Sequence, residues 1–172
     1  ITSVLSKVAE RVIAHTFSRF LQQHGFGSQQ WAYRKGRGSK DLLCFLLSVW
    51  ILAICSGMKI GTYMSDISGA FDKVFAKFLL AKLRQLGVGD TILKFFSEYL
   101  QPRRAHVVVA GSSSDEFEIS DMVYQGTVLG PLLWNTFFAD VAVPATANGE
   151  REIIFTDCLL YTSPSPRDLR RS

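Results

Sequence analysis

Cysteine is scarce in this sequence, and what there is does not pair. Cys44, Cys55 and Cys158 are an odd number, 3 in all, with no CxxC spacing. They support neither a disulfide framework nor a zinc site, and a reducing compartment is the easier reading. Charge is sparse as well: charged residues make up 20% of the chain, too few for a solvated disordered segment. An excess of one sign is nearly lacking. The formal net charge is +4, and half of it comes from Arg167, Arg170 and Arg171 set against Asp168 near the C-terminus. Overall basicity is therefore weak support for a nucleic-acid partner. No internal repeat is visible. The chain lacks an initiator Met and a signal peptide, and opens mid-phrase at Ile1, as a fragment would. One long apolar run, Leu42 to Met58, sits at the bottom of the roughly 17–25 residues needed to cross a bilayer and ends in Ser56-Gly57. It reads as a helix buried in a protein core, with no membrane association.

What is present is ample apolar material. Of 172 residues, 48% are hydrophobic and 12% aromatic, enough for one ordinary packed domain. Helical spacing of Val4, Leu5, Val8, Val12, Phe17, Phe20 and Leu21 predicts a helix over Ser3 to His24, stopped by Gly25 and Gly27. Tyr33 to Gly38 is a basic, glycine-rich loop, after which Ser39 or Asp41 can cap the apolar helix. Lys59 to Asp66 reads as a short strand. From about Asp72 a helix follows, with Phe75, Phe78, Leu79, Leu83 and Leu86 on one face and Gly87 at its end. Asp90 or Thr91 caps the next helix through Leu100. Ala105 to Ala110 is strand-like, and Phe117 and Ile119 alternate with polar residues in a return strand after Gly111 to Ser114. Gly130-Pro131 opens another apolar helix through about Val141. Glu152 to Thr156 is a last short strand. The fold class is thus α/β (α+β), and Asp66 and Asp157 each stand at the C-terminal end of a strand. Carboxylates leaving neighbouring strand ends can converge on one hard cation.

Three motifs make that geometry specific. Asp66-Ile67-Ser68-Gly69-Ala70-Phe71-Asp72 pairs a strand-end acid with an aromatic residue five positions on. Tyr124-Gln125-Gly126-Thr127-Val128-Leu129-Gly130-Pro131-Leu132-Leu133-Trp134-Asn135 combines Gln-Gly, Gly-Pro and Trp-Asn in order. Phe155-Thr156-Asp157 forms an aromatic-x-Asp turn. Taken singly, the first is an ordinary strand-to-helix turn with Asp72 as cap and Phe71 as core, and the second merely turns the chain after a hairpin. Together they resemble the reverse transcriptase domain of non-LTR (LINE-like) retrotransposons. The resemblance implies a partial right-hand polymerase, with fingers-like segments over 1–58, a palm with an incomplete antiparallel sheet over 59–157, and no thumb. It implies that Asp66 and Asp157 are catalytic and bind two Mg²⁺ ions, or Mn²⁺ in their place, with the Ile67 carbonyl assisting. Phe71 would be the steric gate under the incoming sugar, and Gln125 and Gly126 would approach the nucleotide. In the basic loop, Arg34, Lys35 and Arg37 would contact template or phosphate, although a solvated basic loop reads almost as well.

The implied partners are an RNA template, a DNA primer and deoxynucleoside triphosphates, together with a thumb elsewhere in the parent protein, with or without an attached endonuclease domain. That parent is expected to be intracellular and to act in the nucleus. Two departures bear on activity. The residue after Asp157 is Cys158, where the family has a second aspartate. From there, Cys158-Leu159-Leu160-Tyr161-Thr162-Ser163-Pro164-Ser165-Pro166-Arg167-Asp168 resembles the in-frame translation of a transposase-type sequencing-library adapter. Residues 158–172 are accordingly expected to be a non-native tail without ordered structure, and the fragment to be inactive as a polymerase. The alternative is a catalytically dead, nucleic-acid-binding remnant of a retroelement.

Overall fold

The computed structural model describes residues 3–24, 26, 29–140 and 151–166, and within the last stretch the side chains of 152–162. Helices and strands mix as expected of an α+β chain: α1 (Val4–His24), α2 (Ser39–Cys55), β1 (Met58–Asp66), a 3-10 turn (Ala70–Lys73), α3 (Ala76–Gln85) and α4 (Asp90–Tyr99). The short strands β2 (Arg103–Ala105), β3 (Val108–Val109), β4 (Ser112–Ser113) and β5 (Phe117–Ile119) follow, then α5 (Gly130–Phe138), β6 (Arg151–Phe155) and β7 (Cys158–Pro166). The described residues pack as two compact units, those within 1–25 and 69–137 and those within 26–68 and 138–166.

In the first unit the buried stripe of α1 is Glu10, Ala14, Phe17 and Leu21, residues that recur on one helical face. Phe17 meets Phe96 of α4 with ring centroids 4.9 Å apart. Leu79 and Leu83 of α3, Leu93 of α4, and Leu133 and Trp134 of α5 are also buried. Lys82 donates to the Phe137 carbonyl, supplying the cation that the C-terminal end of α5 favours. The helix expected from Asp72 begins only at Ala76. A 3-10 turn comes first, and Val74 breaks it with extended backbone (φ −92, ψ 98) while burying its side chain completely. The shift in phase corrects the face: Leu79 and Leu83 are buried, but Phe75 and Phe78 are 50% and 58% exposed. The strand expected over 105–110 is split. Arg103–Ala105 pairs with β5, and Val108–Val109 with β4. Ala110 and Gly111, both at positive φ, make the tight turn such a hairpin requires.

The second unit is built on a three-stranded antiparallel sheet in the order β1-β7-β6. Leu42 and Leu46 of α2 pack with Ile153 of β6 and Leu160 of β7, flanked by Trp31, Phe45, Trp50 and Phe155. The carboxylate of Asp41 accepts the Gly38 N–H at 2.9 Å, so the acid and not Ser39 closes the start of α2. The helix is not enclosed as expected: Leu43, Leu47, Ile51, Leu52 and Ile54 are exposed, because the sheet covers one face only. No helix among the described residues is long and apolar enough to cross a membrane.

The largest correction concerns the tail. Cys158–Pro166 is not structureless; it is the central strand of the sheet. Its first half is β-prone, and alternation turns Leu160 and Thr162 inward. Leu160 pairs with both Met64 and Ile153, and Thr162 Oγ1 accepts the Trp50 indole N–H at 3.2 Å. Pro164 and Pro166 fall where β7 has lost one neighbour. Pairing with β6 stops at Thr162, whereas pairing with β1 runs on to Pro166, and an open edge tolerates proline. Residues 167–172 lie outside the described residues, as does the end expected for α5 near Val141.

Candidate functional site

The two aspartates stand at one end of this sheet, though not on neighbouring strands as their strand-end positions suggested. Asp66 is the exposed last residue of β1 and lies opposite Cys158 in register. Asp157 is half-buried in the two-residue turn that closes the β6–β7 hairpin, just beyond the pair Phe155↔Cys158. So β7 intervenes between β1 and β6 and still brings both acids to the same end of the sheet. The Cys158 thiol feels them. Burial first, and then the negative charges of Asp66 and Asp157, push it above its ordinary value.

As donors, two carboxylates and the Ile67 carbonyl suit a hard cation that takes oxygen. A protonated thiol is a poor addition to that set. No group of three His, Cys, Asp or Glu side chains suited to a metal occurs among the described residues. The oxygen donors are of the type such an ion takes, and Cys158 stands beside them as a thiol.

The basic loop belongs to the same unit and is tied to it. Trp31 N–H donates to the Ile154 carbonyl (2.8 Å), and Ile154 N–H to the Gln29 carbonyl (2.9 Å). Arg34 and Arg37 both donate to the Gln30 carbonyl, at 3.4 Å. Each guanidinium also lies over a ring, Arg34 over Phe26 at 5.6 Å and Arg37 over Trp31 at 5.1 Å. Partial burial, followed by the charge of Arg37, holds Arg34 below its ordinary value. Lys35 is exposed. Two of the three predicted phosphate contacts are therefore also engaged in holding the loop.

Phe71, Gln125 and Gly126 lie in the first unit. Phe71 is half-buried in the 3-10 turn, with its ring stacked on Trp134 of α5 at 5.6 Å. Its carbonyl accepts the Val123 N–H at 2.9 Å, which joins the first motif to the start of the second. Next in line, Tyr124 donates its hydroxyl to the Gln101 carbonyl and carries the Arg103 guanidinium 4.0 Å above its ring. Gln125 and Gly126 are exposed.

The two glycines of this motif serve different ends. Gly126 has φ +78, and a Cβ there would meet nothing within 4 Å, so conformation is what calls for glycine. At Gly130 a Cβ would stand 2.8 Å from Thr127 Oγ1 and 3.2 Å from the Tyr124 carbonyl. Close packing excludes a side chain at that position. Thr127 bridges the loop by donating to the Tyr124 carbonyl at 2.6 Å and accepting the Gly130 N–H at 3.1 Å.

Two buried polar residues that hydrogen-bond to these segments were not read from the sequence. Glu10 is 5% exposed, and its Oε2 accepts the N–H groups of Val128 (2.6 Å) and Leu129 (3.2 Å) at the entrance to α5. The spacing Glu10-Ala14-Phe17-Leu21 puts an acid on the buried stripe of α1, and that was the available signal. Gln30, 4% exposed, gave none.

Comparison with known proteins agrees with the motifs. The family model described as "Reverse transcriptase (RNA-dependent DNA polymerase)" matches residues 1–172. The chain is 33% identical over 150 residues to the "Probable RNA-directed DNA polymerase from transposon BS" of Drosophila melanogaster, covering 83% of this chain and 16% of that protein. It is 28% identical over 169 residues to the "Probable RNA-directed DNA polymerase from transposon X-element" of the same species, covering 95% and 18%. With the "RNA-directed DNA polymerase from mobile element jockey" of Drosophila funebris the identity is 30% over 156 residues, covering 85% and 16%. The chain thus spans less than a fifth of the length of these relatives.

Proposed function

The chain belongs to the reverse transcriptase family, among the polymerases of non-LTR retrotransposons, and on that premise we propose that it carries the catalytic motifs of an enzyme that extends a DNA primer on an RNA template. The observation that carries this reading is the meeting of Asp66 and Asp157 at one end of a single sheet. Asp66 and Asp157, with the Ile67 carbonyl, would hold two Mg²⁺ ions, which neutralise charge on the attacking and leaving oxygens of phosphoryl transfer when bound. Such a transfer asks positioning and electrostatics of the protein more than covalent help. Few polar side chains can therefore carry it. Phe71 acts as the sugar gate, Gln125 and Gly126 line the nucleotide, and Arg34, Lys35 and Arg37 contact template phosphates. The fingers-like and palm assignments of 1–58 and 59–157 belong to this reading.

The chain as written does not polymerise, because a thiol stands in register opposite Asp66 where a further carboxylate is expected. Residues from Cys158 onward derive from the adapter, and β7 occupies the place of a native strand. The test is primer extension on an RNA template with Mg²⁺, comparing this chain with a full-length genomic copy that carries Asp after Asp157. Extension by the copy, abolished by Asp66→Asn or by Asp157→Asn, is the expected result; extension unaffected by either change overturns the assignment. The same Cys158 observation favours one rival, a catalytically dead nucleic-acid-binding remnant. That reading is decided by sequencing the uncut copy, where a native Cys after Asp157 would support it.

A further inference from the structure

Thr156, which precedes Asp157 in the hairpin turn, has φ +60. A β-branched residue rarely adopts this left-handed conformation, and it persists where surrounding contacts over-determine it. Two of those contacts come from outside the hairpin. The side-chain amide of Gln30 brackets Thr156: Oε1 accepts the Thr156 N–H at 3.2 Å, and Nε2 donates to the Thr156 carbonyl at 3.3 Å. The same Oε1 accepts the Ala32 N–H at 3.0 Å. Two N–H donors facing one end of the amide and a carbonyl facing the other fix which end is oxygen. The backbone of Gln30 is already bridged in parallel to Ile154 of β6. Its side chain carries that ladder past Phe155 onto the turn, where β6 has ended.

From this geometry we propose that Gln30 is a positioning residue for Asp157. It holds the backbone of the turn so that the carboxylate is presented beside Asp66 at the sheet end. Because its own carbonyl anchors Arg34 and Arg37, the residue also couples the basic loop to the acidic turn. Only a primary amide of this length serves. Glutamate keeps the acceptor but loses the donor to the Thr156 carbonyl. Leucine, of similar size, loses all three bonds and strands buried polar groups. The inference rests on reading Asp157 as a metal-holding carboxylate.

Two measurements test it. In this chain, hydrogen exchange at the Thr156 amide should be slow with Gln30, faster in Gln30→Glu and fastest in Gln30→Leu, while amides of α3 keep their protection. In the full-length copy, Mn²⁺ binding followed by electron paramagnetic resonance should weaken about 10-fold or more in Gln30→Leu, the order seen when groups behind metal ligands are removed. Half-saturating Mg²⁺ for extension should rise in parallel, with KM for primer–template held within about twofold. Asp157→Asn is the control. If that change leaves Mn²⁺ binding intact, the reading of Asp157 fails, and this inference with it. If Asp157→Asn weakens binding but Gln30→Leu does not, the metal reading stands and the positioning role is refuted.

Discussion

Replacing Glu10 by alanine tests whether the Gln125–Gly126 loop is held from α1. Glu10 lies 118 residues from Val128 and 119 from Leu129 in the chain, so the contact is purely tertiary. A hydrogen bond to a charged group contributes about 1.5–3 kcal/mol, and truncation strands the buried donors. The 2.6 Å bond falls toward the upper end of that range and the 3.2 Å bond toward the lower. Glu10→Ala should therefore cost about 3–5 kcal/mol, a large part of the roughly 5–15 kcal/mol that stabilises a domain. Glu10→Gln keeps an acceptor oxygen and loses only the charge, so about 1–2 kcal/mol is expected. Urea unfolding followed by Trp134 emission reads the unit concerned, in a background where Trp31 and Trp50 are phenylalanine. Trp134 is buried there. Exchange at the Val128 and Leu129 amides should accelerate in Glu10→Ala before global unfolding does. A cost below about 1 kcal/mol for Glu10→Ala, or equal costs for both substitutions, would refute the reasoning, since neither fits two charge-assisted bonds.

Gly130→Ala should destabilise the same unit by about 1–3 kcal/mol through overpacking against Thr127 and Tyr124, whereas Gly126→Ala should cost about 1–2 kcal/mol from its left-handed backbone alone; urea unfolding compares them. Phe71→Ala in the full-length copy should raise ribonucleotide over deoxyribonucleotide incorporation, measured by single-nucleotide extension, and unchanged discrimination would remove Phe71 from the sugar gate. The Tyr161 hydroxyl, which donates to Glu152 at 2.7 Å, is pushed up to about 12, first by that bond and then by burial. Its contribution to stability should be complete below about pH 10, the unfolded value, and lost as pH rises through about 12. Glu152→Gln should lower the phenolate midpoint in an ultraviolet titration.

Local periodicity located the long elements well. The helix predicted over Ser3–His24 is observed over Val4–His24, and the strand predicted over Lys59–Asp66 runs Met58–Asp66. The helix rests on residues three and four apart and the strand on β-prone residues just before the Asp66 turn, and a sequence displays both directly. Burial was less legible. The apolar run in α2 suggested a wholly enclosed helix, but enclosure depends on how many neighbours a face acquires, and the sheet supplies neighbours on one side. The phase of α3 was misread because Val74 leaves the helix to bury its side chain, a tertiary demand that the spacing of Phe75 and Phe78 does not reveal. The tail was expected to lack order because it resembles a translated adapter, yet its first half is β-prone, and its prolines fall where β6 no longer pairs with it.

The candidate site divides along the same line. The residues proposed to touch nucleotide or metal, namely Asp66, Phe71, Gln125, Gly126 and Asp157, lie in short motifs that the sequence displays directly. The residues that hold those motifs in place are distant in the chain and chemically ordinary. Gln30 reaches Thr156 across 126 positions, and its role depends on both ends of one amide finding backbone partners. No local pattern distinguishes it from the adjacent Gln29. Glu10 was more legible, because a carboxylate on a buried helical stripe must find donors or pay a desolvation cost. The general test is therefore asymmetric. An acid at a core-facing helix position can be flagged from sequence as needing a partner, and here the partner proves to be the backbone of the Gln125–Gly130 loop. A glutamine in an irregular segment carries no such flag, and only the strained turn at Thr156 that it supports makes it conspicuous.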